Sequence, residues 1–150
     1  MSRGKLLLGV FFAFLTLLIA SQLFAQADMI ERRQKLMKSN GEATKAIKAA
    51  AESKDYATIQ AKAKDIMGNG DKVLDFFRQG GAQGKTKAKP EIWERWDEFS
   101  KFPGNVRKAA SELVDAAKAK DDAAITVKVK ALGNACGACH KAFRAEKYAE

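Results

Sequence analysis

The sequence predicts an all-α fold, a bundle of four helices, on three observations. Beyond residue 27 the chain is rich in Ala, Lys, Glu and Leu and poor in β-branched runs, a composition that favours helix over strand. Apolar residues recur there at intervals of three and four, which places them on one helical face. The segments so marked are separated by helix punctuation: Gly80-Gly81, Pro90, Pro103-Gly104 and the Asp121-Asp122 pair. No long internal repeat is present.

The first 27 residues are set apart from the fold. Arg3 and Lys5 give a positive start, residues 6–20 form an apolar run, and Ala25-Gln26-Ala27 is a small-x-small cleavage site. The run is short for a spanning helix, which needs roughly 20 residues. The segment therefore reads as a cleaved signal peptide, with an uncleaved anchor as the alternative. No stable membrane insertion is expected after cleavage. Export places the product in the periplasm, and residues 28–150 form one domain of 123 residues, enough for one core.

The first helix is predicted over 29–53. Ile30, Arg33, Met37, Gly41, Thr44, Ile47 and Ala51 share a face, and Gly41 would permit close approach of another group. The second is predicted over 55–79, with an inward stripe of Tyr56, Ile59, Ala63, Ile66, Met67, Gly70, Val73, Leu74 and Phe77. Gly80-Gly81 ends it and opens a glycine- and lysine-rich loop over 80–89. Pro90 suits the first turn of a new helix, where Ile92, Trp93, Trp96 and Phe99 add apolar bulk. Pro103-Gly104 is expected to break or kink the chain, so the third long helix is predicted over 105–118, with Val106, Ala109, Leu113 and Ala116 or Ala117 inward. Asp121 or Asp122 caps the fourth. Its stripe is Ile125, Val129, Leu132, Cys136, Cys139, His140 and Phe143.

That last stripe carries the chemistry. Cys136-Gly137-Ala138-Cys139-His140 contains the chain's two cysteines and its one histidine. A C-x-x-C-H run reads as a c-type haem attachment site. Each thiol adds across one haem vinyl group, and the adjacent histidine becomes the proximal iron ligand. On a helix the three side chains stand at i, i+3 and i+4, so all are expected to point into the core. A structural zinc site needs four ligands, usually Cys or His, and only three exist here. A redox dithiol belongs at the start of a helix after a strand, and no strand signal lies nearby. A disulfide between the two would close a tiny loop and constrain little. With the histidine taken by iron, no acid–base or nucleophile constellation remains, so an enzyme is not expected.

A signal peptide, four amphipathic helices and a C-terminal C-x-x-C-H resemble cytochrome c′ and its relatives, the class II cytochromes c. The resemblance rests on Arg33-Gln34-Lys35-Leu36-Met37-Lys38 with Gly41, on Ile92-Trp93, and on the haem motif followed by Phe143-Arg144. It implies an up-down-up-down four-helix bundle with one covalent haem c near one end. It also implies, in many members, a homodimer packed through the first two helices.

The family has two subtypes. In one the sixth iron position is open, shielded by an apolar side chain, and takes small gases such as nitric oxide or carbon monoxide. In the other a methionine from the first helix fills it. The residue at that place here is Met37, four after Arg33. A thioether favours ferrous iron and raises the reduction potential, which suits electron transfer. Shielding an open site, or packing alone, are the alternatives for Met37. Met67 and Met29 are weaker rivals. Arg33 is a candidate partner for a haem propionate, Arg144 for tuning the proximal imidazole, and Trp93 for packing on the haem edge.

The whole chain carries a formal charge of +9, and residues 28–150 keep 25 of the 27 basic residues and all 18 acidic ones, a charge of +7. Two ionised propionates would bring that to about +5. The lysines are spread out and read as solvated helix faces, with an acidic redox partner as the alternative. No nucleic-acid motif accompanies them. The expected function is a periplasmic haem protein that carries electrons to redox partner proteins. The alternative is a five-coordinate gas binder.

Overall fold

The computed structural model describes residues 3–78 and 84–147, with side chains from residue 27 onward. Four long helices form the bundle: α1 (Arg3–Glu52), α2 (Tyr56–Arg78), α5 (Lys101–Lys118) and α6 (Asp122–Phe143). Between α2 and α5 stand two single-turn helices, α3 (Glu91–Glu94) and α4 (Trp96–Phe99). Each long helix packs mainly on its neighbour in the chain, α1 on α2, α2 on α5 and α5 on α6. Contacts between α1 and α6 are far sparser, so that edge of the bundle is the least closed.

The two short connections lie at one end. α1 and α5 each finish on a lysine in the left-handed region, Lys54 (φ 57°) and Lys120 (φ 54°). The next amide in each case reaches back to a helix carbonyl, Asp55 N–H to Ala50 O at 2.8 Å and Asp121 N–H to Ala116 O at 3.1 Å. This satisfies carbonyls that a helix end leaves unpaired. The turns are tied together by Asp122, which accepts from the Tyr56 hydroxyl at 2.9 Å and pairs with the Lys54 ammonium at 2.6 Å. Of the two expected caps it is Asp121 whose carboxylate accepts from the Ala124 N–H, at 2.9 Å. Asp121→Ala is therefore expected to cost about 1 kcal/mol, read as a lower denaturant midpoint of the holoprotein with its haem spectrum unchanged.

The core forms two clusters. One, toward the turns, centres on Ile47, Ile59, Ile66, Leu113, Ile125 and Leu132. The other holds Leu36, Val73, Phe77, Ile92, Phe99 and Phe143. Aromatic rings dominate the second: Phe99 lies 5.2 Å from Phe77 and meets Phe143 edge-on at 5.4 Å. Such pairs contribute roughly 0.5–1.5 kcal/mol beyond the area they bury.

The α2 stripe is as predicted, with Ile59, Ala63, Ile66, Gly70, Val73 and Phe77 buried. Three expectations are corrected. Gly41 is exposed and a Cβ there would meet nothing within 4 Å. Gly70 is buried instead, and a Cβ there would make only ordinary contact with the Pro103 carbonyl oxygen, at 3.7 Å. Pro103-Gly104 does not interrupt the third long helix, which starts at Lys101. Pro103 sits in the first turn, where its missing N–H would have had no helical partner. The first helix begins at Arg3, because the apolar segment before residue 29 is itself helical. The Gly80-Gly81 stop lies outside the described residues.

Residues 84–90 form a strap across the end of α6. Gly84 has φ +92°, a conformation that favours glycine, and a Cβ there would also press on the flexible end of the Ile30 side chain, 2.8 Å away. Lys89 N–H donates to Phe143 O at 3.1 Å, and Ala145 N–H donates to Lys87 O at 2.8 Å. An isolated bridge pairs Ala88 with Arg144.

Candidate haem-binding site

α6 carries both thiols onto the interior side of the bundle. Cys136 is half-buried and packs against the turn-end cluster, while Cys139, also half-buried, packs against the aromatic one. The pair therefore spans the seam between the two clusters. Both are free thiols. Burial pushes the Cys136 thiol up, and burial followed by the neighbouring Cys136 pushes Cys139 up to about 11. A catalytic dithiol needs the opposite, a thiol depressed toward neutrality. The rival reading as a redox pair therefore has the wrong electrostatics.

His140 corrects an expectation. It is exposed, at the rim of the stripe, whereas the two thiols are half-buried. The stripe runs through Ile125, Leu132 and Phe143, and the residue after Cys139 falls off its centre. Desolvation, and then the Arg144 charge, hold the imidazole below its ordinary pKa. This favours the neutral ring that an iron ligand must be. Among the described residues no three Cys, His, Asp or Glu side chains converge as a metal-ion site.

Opposite α6, α1 presents Met37. It is half-buried and packs against the aromatic cluster, the same cluster that Cys139 touches. Met67 lies with the turn-end cluster, and Met29 is half-buried toward the start of the domain. Leu36, beside Met37, is the more deeply buried of the two, and was not singled out from the sequence.

Arg33 is 3 % exposed. Its Nε donates to the Phe76 carbonyl at 2.8 Å, and its guanidinium lies 5.0 Å from the Phe77 ring centre and 5.3 Å from that of Trp93. Desolvation lowers its pKa. Trp93 in turn donates through its indole N–H to the Phe77 carbonyl at 2.7 Å. The structure thus brings Arg33 and Trp93 together with Met37 and Cys139 around one cluster. Phe77, expected on the inward stripe of α2, and Phe76, which the stripe did not include, complete this arrangement. Arg144 is exposed and caps α6, its N–H donating to the His140 carbonyl at 3.0 Å.

The sequence model of the cytochrome c′ family matches residues 28–144. The chain belongs to the cytochrome c′ family. It is 30 % identical to a cytochrome c-556 of Agrobacterium tumefaciens (strain II Chrys), across 81 % of this chain and all of the relative. It is 31 % identical to a cytochrome c′ of Rhodopseudomonas palustris, across 82 % of this chain and 86 % of the relative. Among solved structures it resembles a cytochrome c′ that shows ligand-controlled dimer dissociation, with TM-score 0.74, 26 % identity, and coverage of 81 % of this chain and 98 % of the other.

The prosthetic group of this family is haem c, one iron porphyrin joined covalently to the protein. The side chains present fit that group. Two free thiols three positions apart face the bundle interior, a neutral-leaning imidazole adjoins the second, and a thioether stands on the facing helix. The least closed edge of the bundle lies between the two helices that supply them.

Proposed function

We propose that this cytochrome c′ family protein is a periplasmic electron carrier. Cys136 and Cys139 hold the haem, His140 is the proximal ligand and Met37 the distal one. The observation that carries the reading is the placement of Met37, half-buried on α1 against the same aromatic cluster as Cys139. Bound haem supplies one-electron chemistry through its ferric and ferrous states. The protein's own part would be to supply both iron ligands, His140 and Met37, so that no ligand would need to enter or leave as the charge changes. A thioether on one side raises the potential. The aromatic cluster excludes water around it. Arg33, already desolvated, is placed to answer a propionate charge, and desolvation, with the Arg144 charge second, lowers the pKa of the His140 imidazole.

Export is supported by the family match, which begins at residue 28, directly after the predicted cleavage site. A homodimer through the outer faces of α1 and α2 belongs to the proposal, supported by the dimeric relative. Sedimentation equilibrium of the holoprotein decides it, a single monomeric species being the contrary result.

Carbon monoxide tests the sixth position. Added to ferrous protein, it is expected to shift the spectrum poorly, because Met37 must leave first. A ready, complete shift would favour the alternative, a five-coordinate gas binder in which Met37 only shields the iron.

A further inference from the structure

The basic residues are not distributed as the sequence suggests. Along the bundle some are met by acids, Arg32 by Asp28, Lys35 by Glu31, Lys62 by Asp65, Arg107 by Asp71, Lys118 by Asp115 and Lys128 by Glu112, while exposed lysines such as Lys64, Lys72, Lys108 and Lys130 stand apart along its length outside the described ion pairs. The strap and the end of α6 differ in bringing basic residues together from two parts of the chain. Residues 84–90 lie against 142–146 through the Lys89–Phe143 and Ala145–Lys87 backbone bonds. This gathers Lys85, Lys87 and Lys89 with Lys141, Arg144 and Lys147 at one end of the bundle, with Glu146 the acid among residues 84–90 and 141–147. Among the described ion pairs none involves Lys141, Arg144 or Lys147, and all three are exposed. Lys89 donates to the Ala142 carbonyl at 3.3 Å, so it already answers the negative end of the α6 dipole. Lys141, Arg144 and Lys147 add positive charge beyond that.

This surface surrounds His140, itself exposed. We propose that the strap and the α6 terminus form the docking face for a redox partner with an acidic surface, steering it to the edge where the iron is held. The inference rests on the electron-carrier reading and adds to it a place and a charge sign. Oppositely charged faces raise encounter rates about ten- to a thousandfold, and the effect fades as salt shortens the screening length. Lys141 and Lys147 lie on this face, and Lys45 and Lys48 lie on α1 toward the turn end, exposed and outside the described ion pairs. Two reversals at either place change the net charge equally.

The experiment follows oxidation of the ferrous holoprotein by stopped flow. One probe is the hexacyanoferrate(III) anion and the other the tris(phenanthroline)cobalt(III) cation. In each case one electron passes from ferrous haem to the probe metal, and no bond or proton moves. At low ionic strength the Lys141→Glu/Lys147→Glu protein is expected to react at least about threefold more slowly with the anion and faster with the cation, the differences vanishing at high salt. Lys45→Glu/Lys48→Glu is expected to change both rates much less. Equal effects from the two pairs, or no salt-dependent change from either, would overturn the docking face and leave the electron carrier standing. Failure of the unaltered holoprotein to reduce either probe would remove the electron carrier, and the docking face with it. Sedimentation with vesicles of anionic phospholipid is the second measurement. Binding that is lost on reversing Lys141 and Lys147, with unchanged probe rates, would assign the face to a membrane surface and overturn the protein partner.

Discussion

Replacing Cys136 and Cys139 together by alanine is expected to abolish covalent haem attachment, the largest single effect any substitution in this chain should have. Both thiols face the interior across the seam between the two core clusters, and they are the chain's only cysteines. No other side chain can form a thioether to a vinyl group. The double variant, made in a host with haem-attachment machinery, should show no haem on the polypeptide after denaturing electrophoresis, whereas the unaltered protein keeps its haem through denaturation. Each single variant should retain one thioether and so remain stained. A double variant that still carries covalent haem would remove the assignment of both cysteines.

Met37→Ala is expected to open the sixth coordination position. The ferric spectrum should change from low-spin to high-spin, ferrous protein should take up carbon monoxide readily, and the reduction potential should fall with loss of the thioether. Leu36→Ala supplies the contrast. Leu36 is buried more deeply in the same cluster, 6 % exposed, so its truncation should cost about 2–5 kcal/mol. Yet its spectrum should stay low-spin. Loss of stability without loss of ligation at one position, and the reverse at its neighbour, separates a ligand from a packing residue. An unchanged spectrum for Met37→Ala would exclude Met37 as the ligand.

Much of the fold was legible where periodicity alone decides it. The α2 stripe from Ile59 to Phe77 holds residue for residue, because a helix packed on two neighbours must bury one continuous face. The reading faltered where one residue type serves two purposes. Gly41 looked like a contact glycine, but a helix tolerates glycine on its solvent face at a cost of about 1 kcal/mol, and nothing in its neighbours' spacing reveals which side it takes. Pro103 breaks a helix interior and suits a first turn equally well, so the missing information was where α5 began.

The candidate site divides in the same way. The thiols were found by local spacing and stand where the stripe puts them. His140 was assigned to the core by its distance from Cys136, yet an i+4 neighbour at the edge of a stripe can look outward. Arg33 was read as a buried charge awaiting an anion. Its carbonyl partner Phe76 and its aromatic bed of Phe77 and Trp93 come from distant parts of the chain. No local pattern encodes that meeting. The concentration of positive charge around Lys141 and Lys147 was hidden for the same reason, since the strap is brought to α6 by tertiary pairing of Lys89 and Lys87 with Phe143 and Ala145.

The ferric optical spectrum of the unaltered holoprotein at neutral pH is the most direct test of Met37 as the distal ligand. Low-spin bands with a weak far-red sulfur-to-iron band are expected. A high-spin spectrum under the same conditions would contradict ligation by Met37 and leave the iron open to gases.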